Sequence, residues 1–156
     1  MVISREPERS SGTYVLILRN ARQQHLEVGS LGQLVFAPGI FAYVGSAFGP
    51  GGVAARCGHH RRISERPHWH IDYLRAATTL EQIWYSHDLL RREHQWSGLL
   101  ARSRGASRPH PGFGASDCGC HSHLFHYSSV PSFDGFRRRA RRELQGQMSI
   151  RVEKVA

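Results

Sequence analysis

The sequence predicts an α+β fold, a small and mostly antiparallel sheet flanked by helices. Three observations predict it. Short apolar runs rich in β-branched and aromatic residues fill the first third of the chain, tight-turn residues separate them, and helical patterning begins only after Gly49-Pro-Gly-Gly52. At 156 residues and 40% hydrophobic composition, the chain suits one domain with a core large enough to need no disulfides.

Tyr14-Val-Leu-Ile-Leu18, preceded by Ser11-Gly12, reads as a buried strand. Residues 25–28 and 33–36 read as shorter strands around Gly29-Ser-Leu-Gly32, a hairpin signal, and Pro38-Gly39 turns the chain into a further strand at 40–44. Val53 to about Arg62 reads as a helix. Pro67 interrupts, residues 68–75 form a second short helix, and residues 80–85 another strand. Asp88 is expected as the N-cap of a helix running to about Ser103, with Leu89, Glu93, Trp96 and Leu100 on one stripe. Residues 104–116, rich in Gly, Ser, Pro and Arg, read as a loop, residues 124–127 as a last strand, and Pro131 to about Gln145 as a terminal helix. There is no internal repeat.

Twenty-one basic against twelve acidic residues give a net charge of +9, and Lys154 is the only Lys among the bases. The planar Arg fork suits phosphate oxygens, although GC-rich coding also favours Arg over Lys. The net excess points to nucleic acid first and an acidic membrane surface second. No apolar run approaches the ~18 residues of a membrane span, and residues 1–12 lack the hydrophobic stretch of a signal peptide. Three cysteines do not read as a secreted disulfide framework. These features predict a soluble, intracellular protein.

Gly12-Thr-Tyr14 on the first strand and Tyr43-Val-Gly45 on a later antiparallel one are paired tripeptides; Arg56 follows Gly45 by eleven residues, and His60 lies four further on. This arrangement resembles the GIY-YIG endonuclease superfamily, whose second tripeptide precedes a helix bearing an Arg and, one turn on, a His or Tyr. Glu93 on a later helix matches the superfamily's lone metal-binding carboxylate. Tyr43-Val-Gly-Ser-Ala47, His68-Trp-His-Ile-Asp-Tyr73 and Gly112-Phe-Gly-Ala-Ser-Asp-Cys118 through His123-Leu-Phe125 are similar to segments of a compact branch sometimes fused to endonuclease III-like repair enzymes. The resemblance covers roughly residues 12–126. It implies a nuclease domain over residues 12–127, after a flexible N-terminus at 1–11, with the basic helix and tail at 128–156 belonging to the same domain.

Phosphodiester hydrolysis needs an activated water, a cation near the phosphate and stabilisation of developing charge. Arg56 and His60 share a helix face and can address one phosphate, or they are an ordinary polar face beside His59, Arg61 and Arg62. The glycines at 49–52 open that helix, whose free amides would favour an anion; no Gly-Lys-Ser/Thr ending follows, which excludes a nucleotide-binding P-loop. Glu93 lies on the apolar stripe, where a carboxylate needs a partner: Mg²⁺ or Mn²⁺, or a neighbouring Arg91 or Arg92. By resemblance Tyr14 accepts a proton from water while Tyr43 positions water or phosphate. A phenol ionises near pH ~10, so this role requires Arg56 and the metal to lower it; otherwise the two tyrosines are packed sheet aromatics. Thr13 replaces the superfamily's usual Ile on the opposite strand face.

Cys118, Cys120, His121 and His123 lie close enough in sequence for a structural Zn²⁺, with the rival reading a tight loop whose Asp117 or His123 reaches the nucleic acid or supports the metal. His68 and Asp72 align on a helix, where capping is expected, and His70 is a further candidate for supporting the site. Arg61 and Arg62, together with Arg137, Arg138, Arg139, Arg141 and Arg142, are either solvated faces or contacts to a nucleic-acid backbone. The resulting expectation is a metal-dependent, structure-selective DNA endonuclease of repair or recombination, cytoplasmic and nucleoid-associated, with DNA (or RNA) and a repair enzyme as partners. The alternatives are a non-catalytic nucleic-acid-binding module of the same fold and a zinc-stabilised interaction domain.

Overall fold

The apolar run of β1 (Gly12–Asn20) buries side chains on both faces, so this strand can be stable only between two covering layers. The computed structural model describes residues 3–115 and 119–156. After β1 come β2 (Gln24–Glu27), a 3-10 turn at Gly29–Leu31, β3 (Gln33–Phe36), β4 (Gly39–Ala47), α1 (Gly52–Arg61), α2 (His70–Arg75), β5 (Thr79–Ser86), α3 (Glu93–Ala101), β6 (Leu124–Tyr127), α4 (Phe133–Glu143) and β7 (Arg151–Lys154). The main sheet runs β6-β4-β1-β5-β7, with every neighbouring pair antiparallel, and β2 and β3 form a separate hairpin. The α+β expectation is thus met.

Alternation along β1 assigns the layers. Tyr14, Leu16 and Leu18 face one core with Val53 and Cys57 of α1, Ile71 and Leu74 of α2, and Phe113. Val15 and Ile17 face the other with Trp96, Leu99 and Leu100 of α3 and Phe136 and Ala140 of α4. Each large apolar side chain fully buried this way contributes roughly 1.5–3 kcal/mol. No helix among the described residues is long and apolar enough to cross a membrane.

Two expected elements differ. The helix expected from Asp88 begins at Glu93. Asp88 accepts from the Leu90 and Met148 amides and from the Arg92 side chain, which closes a turn in place of a helical cap, and Leu89 is left 84% exposed, off the stripe. The helix α4 is not terminal: β7 follows, a strand whose sequence Arg-Val-Glu-Lys has little apolar character. It forms because β5 offers an open edge, Val152 is buried against the second core, and Glu153 pairs with Arg61 of α1. Residues 4–6, within the stretch expected to be flexible, lie along the sheet. Ser4 bridges Val152, the Arg5 amide donates to the Val152 carbonyl, and the Tyr85 hydroxyl donates to the carbonyls of Arg5 and Glu6.

Gly12 shows how tightly β1 is held. A Cβ there would sit 2.0 Å from the carbonyl oxygen of Ser86 and 2.9 Å from Val53. Gly12→Ala is expected to destabilise the fold by at least about 2 kcal/mol, read as a lowered urea midpoint at unchanged slope.

Candidate functional site

Two strands, three helices and a loop converge on a polar cleft of about 210 Å³, with Ile71 of α2 and Trp69 just before it in the lining. Tyr14 comes from β1, Tyr43, Gly45 and Ser46 from β4, Arg56 and His60 from α1, Glu93 and His94 from the start of α3, and Gly114 and His123 from the segment before β6. The five residues singled out as catalytic, Tyr14, Tyr43, Arg56, His60 and Glu93, therefore share one site. Gly45 lies directly opposite Tyr14 in the β1–β4 register, and a Cβ on it would meet the Tyr14 ring and hydroxyl at 2.4 Å. The tyrosine needs that missing side chain to lie across β4 and reach His60, whose Nε2 is 2.7 Å from the Tyr14 hydroxyl.

The helix carrying Arg56 and His60 is fixed at both ends. Arg75 donates to the carbonyls of His60 and Arg61, supplying a cation where the helix C-terminus has unsatisfied acceptors. His59 bonds Asp72 at 2.8 Å, joining α1 to α2. The amides at the start of α1 are not available to an anion, contrary to the expectation from the glycines. Val53 donates to the Ser10 carbonyl and Ala54 to that of Glu8, because the N-terminal segment packs over the helix start. Arg56 stacks over Trp69, its guanidinium carbon 4.3 Å from the ring centroid, and donates to the Ser46 carbonyl. Trp69 was not foreseen as a site residue; its place in the His68–Tyr73 segment is the signal that could have found it.

Glu93 owes its position to its neighbour. Arg92 is 2% exposed; its side chain donates to Asp88, Gln95 and the Gln145 carbonyl, and its amide to the Thr13 hydroxyl. Neither Arg92 nor Arg91, which lies over Phe48, satisfies Glu93. The carboxylate is partly exposed at the cleft, with Oε1 3.0 Å from His123 Nδ1. Core burial is therefore not what makes it unusual.

Burial dominates the protonation of the cleft's inner wall. It raises the Tyr14 phenol well above its ordinary value, assisted by Tyr43 and Cys57 and only partly opposed by Arg56. The Tyr43 phenol is raised likewise, first by burial and then by Glu93. Arg56 does lower the Tyr14 phenol, as expected, but desolvation outweighs the guanidinium alone. The same burial, then His59, lowers His60 to about 3, so it is a neutral acceptor at neutral pH. Its Nδ1 is buried with no hydrogen-bond partner among the described residues.

Other expected residues fall around this centre. His70 does not line the cleft; its Nδ1 accepts from the Gly114 amide and so supports the loop against which Tyr43 packs. Asp72 caps α2, accepting from the His68 and Trp69 amides, and these bonds with His59 outweigh burial to hold its carboxyl below the usual range. Cys120 and His123 lie together, but with His94 of α3; His121 instead faces the Arg108 carbonyl. Asp117 and Cys118 lie outside the described residues. Arg61 is committed to Glu153, whereas Arg62 is exposed. Arg137, Arg138, Arg139, Arg141 and Arg142 lie on α4, which packs on the sheet face opposite Tyr14, so they do not extend the cleft wall. Arg137 pairs with Asp134, and Arg139 and Arg142 approach Glu143, while Arg138 and Arg141 are exposed.

Residues 13–145 match the family model described as a domain of unknown function, DUF123. No curated protein and no solved structure matches the chain.

The lowered His60 has a consequence for stability. Between pH 6.5 and about 3 the unfolded chain binds a proton at this position that the folded chain does not. Stability contributed by neutral His60 is therefore complete above pH 6.5 and lost as pH falls, by up to about 1.4 kcal/mol per pH unit. Urea midpoints at pH 7 and 4.5 should differ more for the wild type than for His60→Gln.

Proposed function

This chain belongs to the DUF123 family, and from that premise we propose that it is a metal-dependent endonuclease of the GIY-YIG type that hydrolyses DNA phosphodiester bonds. The observation that carries the reading is the convergence of Tyr14, Tyr43, Arg56, His60 and Glu93 on one cleft from four separate elements. The donors there fit a hard divalent ion. Glu93 is a partly exposed carboxylate, and solvent and phosphate oxygens would complete the set that Mg²⁺ or Mn²⁺ prefers. When bound, such an ion supplies Lewis-acid polarisation of the scissile phosphate and of the leaving oxygen.

The chain's own residues supply the rest. Arg56, held flat by Trp69 and the Ser46 carbonyl, presents a guanidinium to the phosphate and stabilises its growing charge. Tyr14, protonated at rest with its hydroxyl 2.7 Å from His60 Nε2, gives up that proton to solvent when Arg56 and the bound ion lower the phenol, and then accepts the proton of the attacking water. Tyr43, buried beside it and also protonated, orients the water or a phosphate oxygen as a donor. Contacts to the nucleic-acid backbone come from exposed arginines such as Arg62. The α4 arginines serve a substrate that passes behind the sheet, which favours branched or flap DNA of repair and recombination over a simple duplex. Backbone contacts of this kind carry no base readout, so selectivity is for structure.

Labelled single-stranded, duplex, flap and branched DNA, incubated with Mg²⁺ or Mn²⁺, tests the reading. Cleavage is expected for at least one branched substrate, abolished by chelator, and lowered about 10²–10⁴-fold in Tyr14→Phe and in Glu93→Gln. Salt-sensitive binding without cutting across the panel would leave the non-catalytic module as the function. Cutting that is undiminished in Glu93→Gln would remove the carboxylate from the mechanism.

A further inference from the structure

A second group of ligating side chains borders the same cleft. His94 is the second residue of α3, Cys120 and His123 belong to the segment entering β6, and one ligand atom from each lies within 4.8 Å of the other two. His94 Nδ1 is 2.8 Å from Cys120 Sγ, and the two imidazoles meet edge to face with centroids 5.8 Å apart. We propose that His94, Cys120 and His123 form a zinc site at the rim of the cleft, tying the loop before β6 to α3.

The chemistry selects the ion. One thiolate and two imidazoles are a borderline-soft set that favours Zn²⁺ and is unsuited to Mg²⁺, so this site is distinct from the carboxylate position. The geometry is close to what the ion needs. Tetrahedral zinc at usual bond lengths sets sulfur and nitrogen roughly 3.5 Å apart, so the His94–Cys120 contact need open by less than about 1 Å. Two of the ligands stand on held backbone. His94 follows the Arg92 anchor, and the His123 amide donates to the Phe113 carbonyl while its own carbonyl accepts from Val44 of β4. Glu93 Oε1 sits 3.0 Å from His123 Nδ1, so a carboxylate stands beside one of the proposed ligands. Three protein ligands leave a fourth position for water or a substrate oxygen, and His94 and His123 line the cleft where such an oxygen would come.

The grouping differs from the one that sequence spacing suggests. His121 is turned to the Arg108 carbonyl, and the third ligand comes from α3, 26 residues before Cys120.

Co²⁺ titration of the full chain, stripped of metal by chelator, tests the proposal without reference to DNA cleavage. The wild type is expected to bind one equivalent with an intense near-ultraviolet thiolate-to-cobalt band, which Zn²⁺ displaces. Cys120→Ser should lose that band, and His94→Ala, an exposed position, should weaken Zn²⁺ binding at least about 100-fold. His121→Ala should bind as the wild type does, and Glu93→Gln should keep the band even where cleavage is lost. Circular dichroism establishes that each variant is folded. A wild-type chain without a stoichiometric thiolate band, or unchanged Zn²⁺ affinity in folded His94→Ala, overturns the zinc site and leaves the nuclease reading standing. The band with no cleavage of any substrate does the reverse.

Discussion

Tyr14 lies across the backbone of Gly45, and the molecule is arranged around that contact. The pair sits in register at the centre of the sheet, with Tyr85 of β5 on the other side of Tyr14. A side chain on Gly45 would occupy the space of the phenol ring. With the space free, the hydroxyl reaches α1 and bonds His60, so one close approach joins two strands to the helix that carries Arg56. Slipping the β1–β4 register by one residue would turn Tyr14 toward α3 and α4, and would leave the cleft without its inner wall.

Depth gives the cleft its electrical character. Burial holds Tyr14, Tyr43 and His60 in their neutral forms, so the inner wall offers dipoles and transferable protons in place of fixed charge. Arg56 and Glu93 stand nearer the opening and carry complementary side-chain chemistry for a phosphate and a cation. The arginine-rich α4 adds to the overall charge of +9, but from behind the sheet and with part of its charge matched by Asp134 and Glu143. Net charge and the field at the cleft are therefore separate quantities in this protein.

Much of this was readable where the determining contacts are close in sequence or where a run is strongly apolar. β1, β4 and β5 announce themselves by hydrophobic runs ended at glycines or polar turns, and the spacing of Tyr14, Tyr43, Arg56 and His60 places them on elements that do converge. What escaped depends on distant partners. β7 has one apolar residue among its four and exists through the β5 edge and Arg61. Asp88 has the residue type of a cap, but Met148, sixty residues on, claims the same carboxylate oxygen as Arg92. The first amides of α1 looked free because their acceptors, Ser10 and Glu8, precede the helix by more than forty residues. His94 carries no local pattern at all, since its neighbours arrive with a later loop. Protonation was the least legible property, because desolvation is set by packing depth and no residue spacing encodes it.

The antiparallel edge at β7 also closes the molecule on itself. Ser4 bridges Val152 and its hydroxyl accepts from the Lys154 amide at 2.9 Å, so residues 4 and 154 are spatial neighbours. A short covalent link there, with the chain opened instead in the 104–109 loop, would preserve each strand pairing while changing the sequence distances between partners. β5 and β7 now meet across about seventy residues, and β1 and β5 across about sixty-five. In the rewired order β7 would directly precede β1, drawing the two strands that flank β5 together along the chain. Loop-closure entropy would be redistributed with the contacts intact, and the property altered first would be the route and speed of folding.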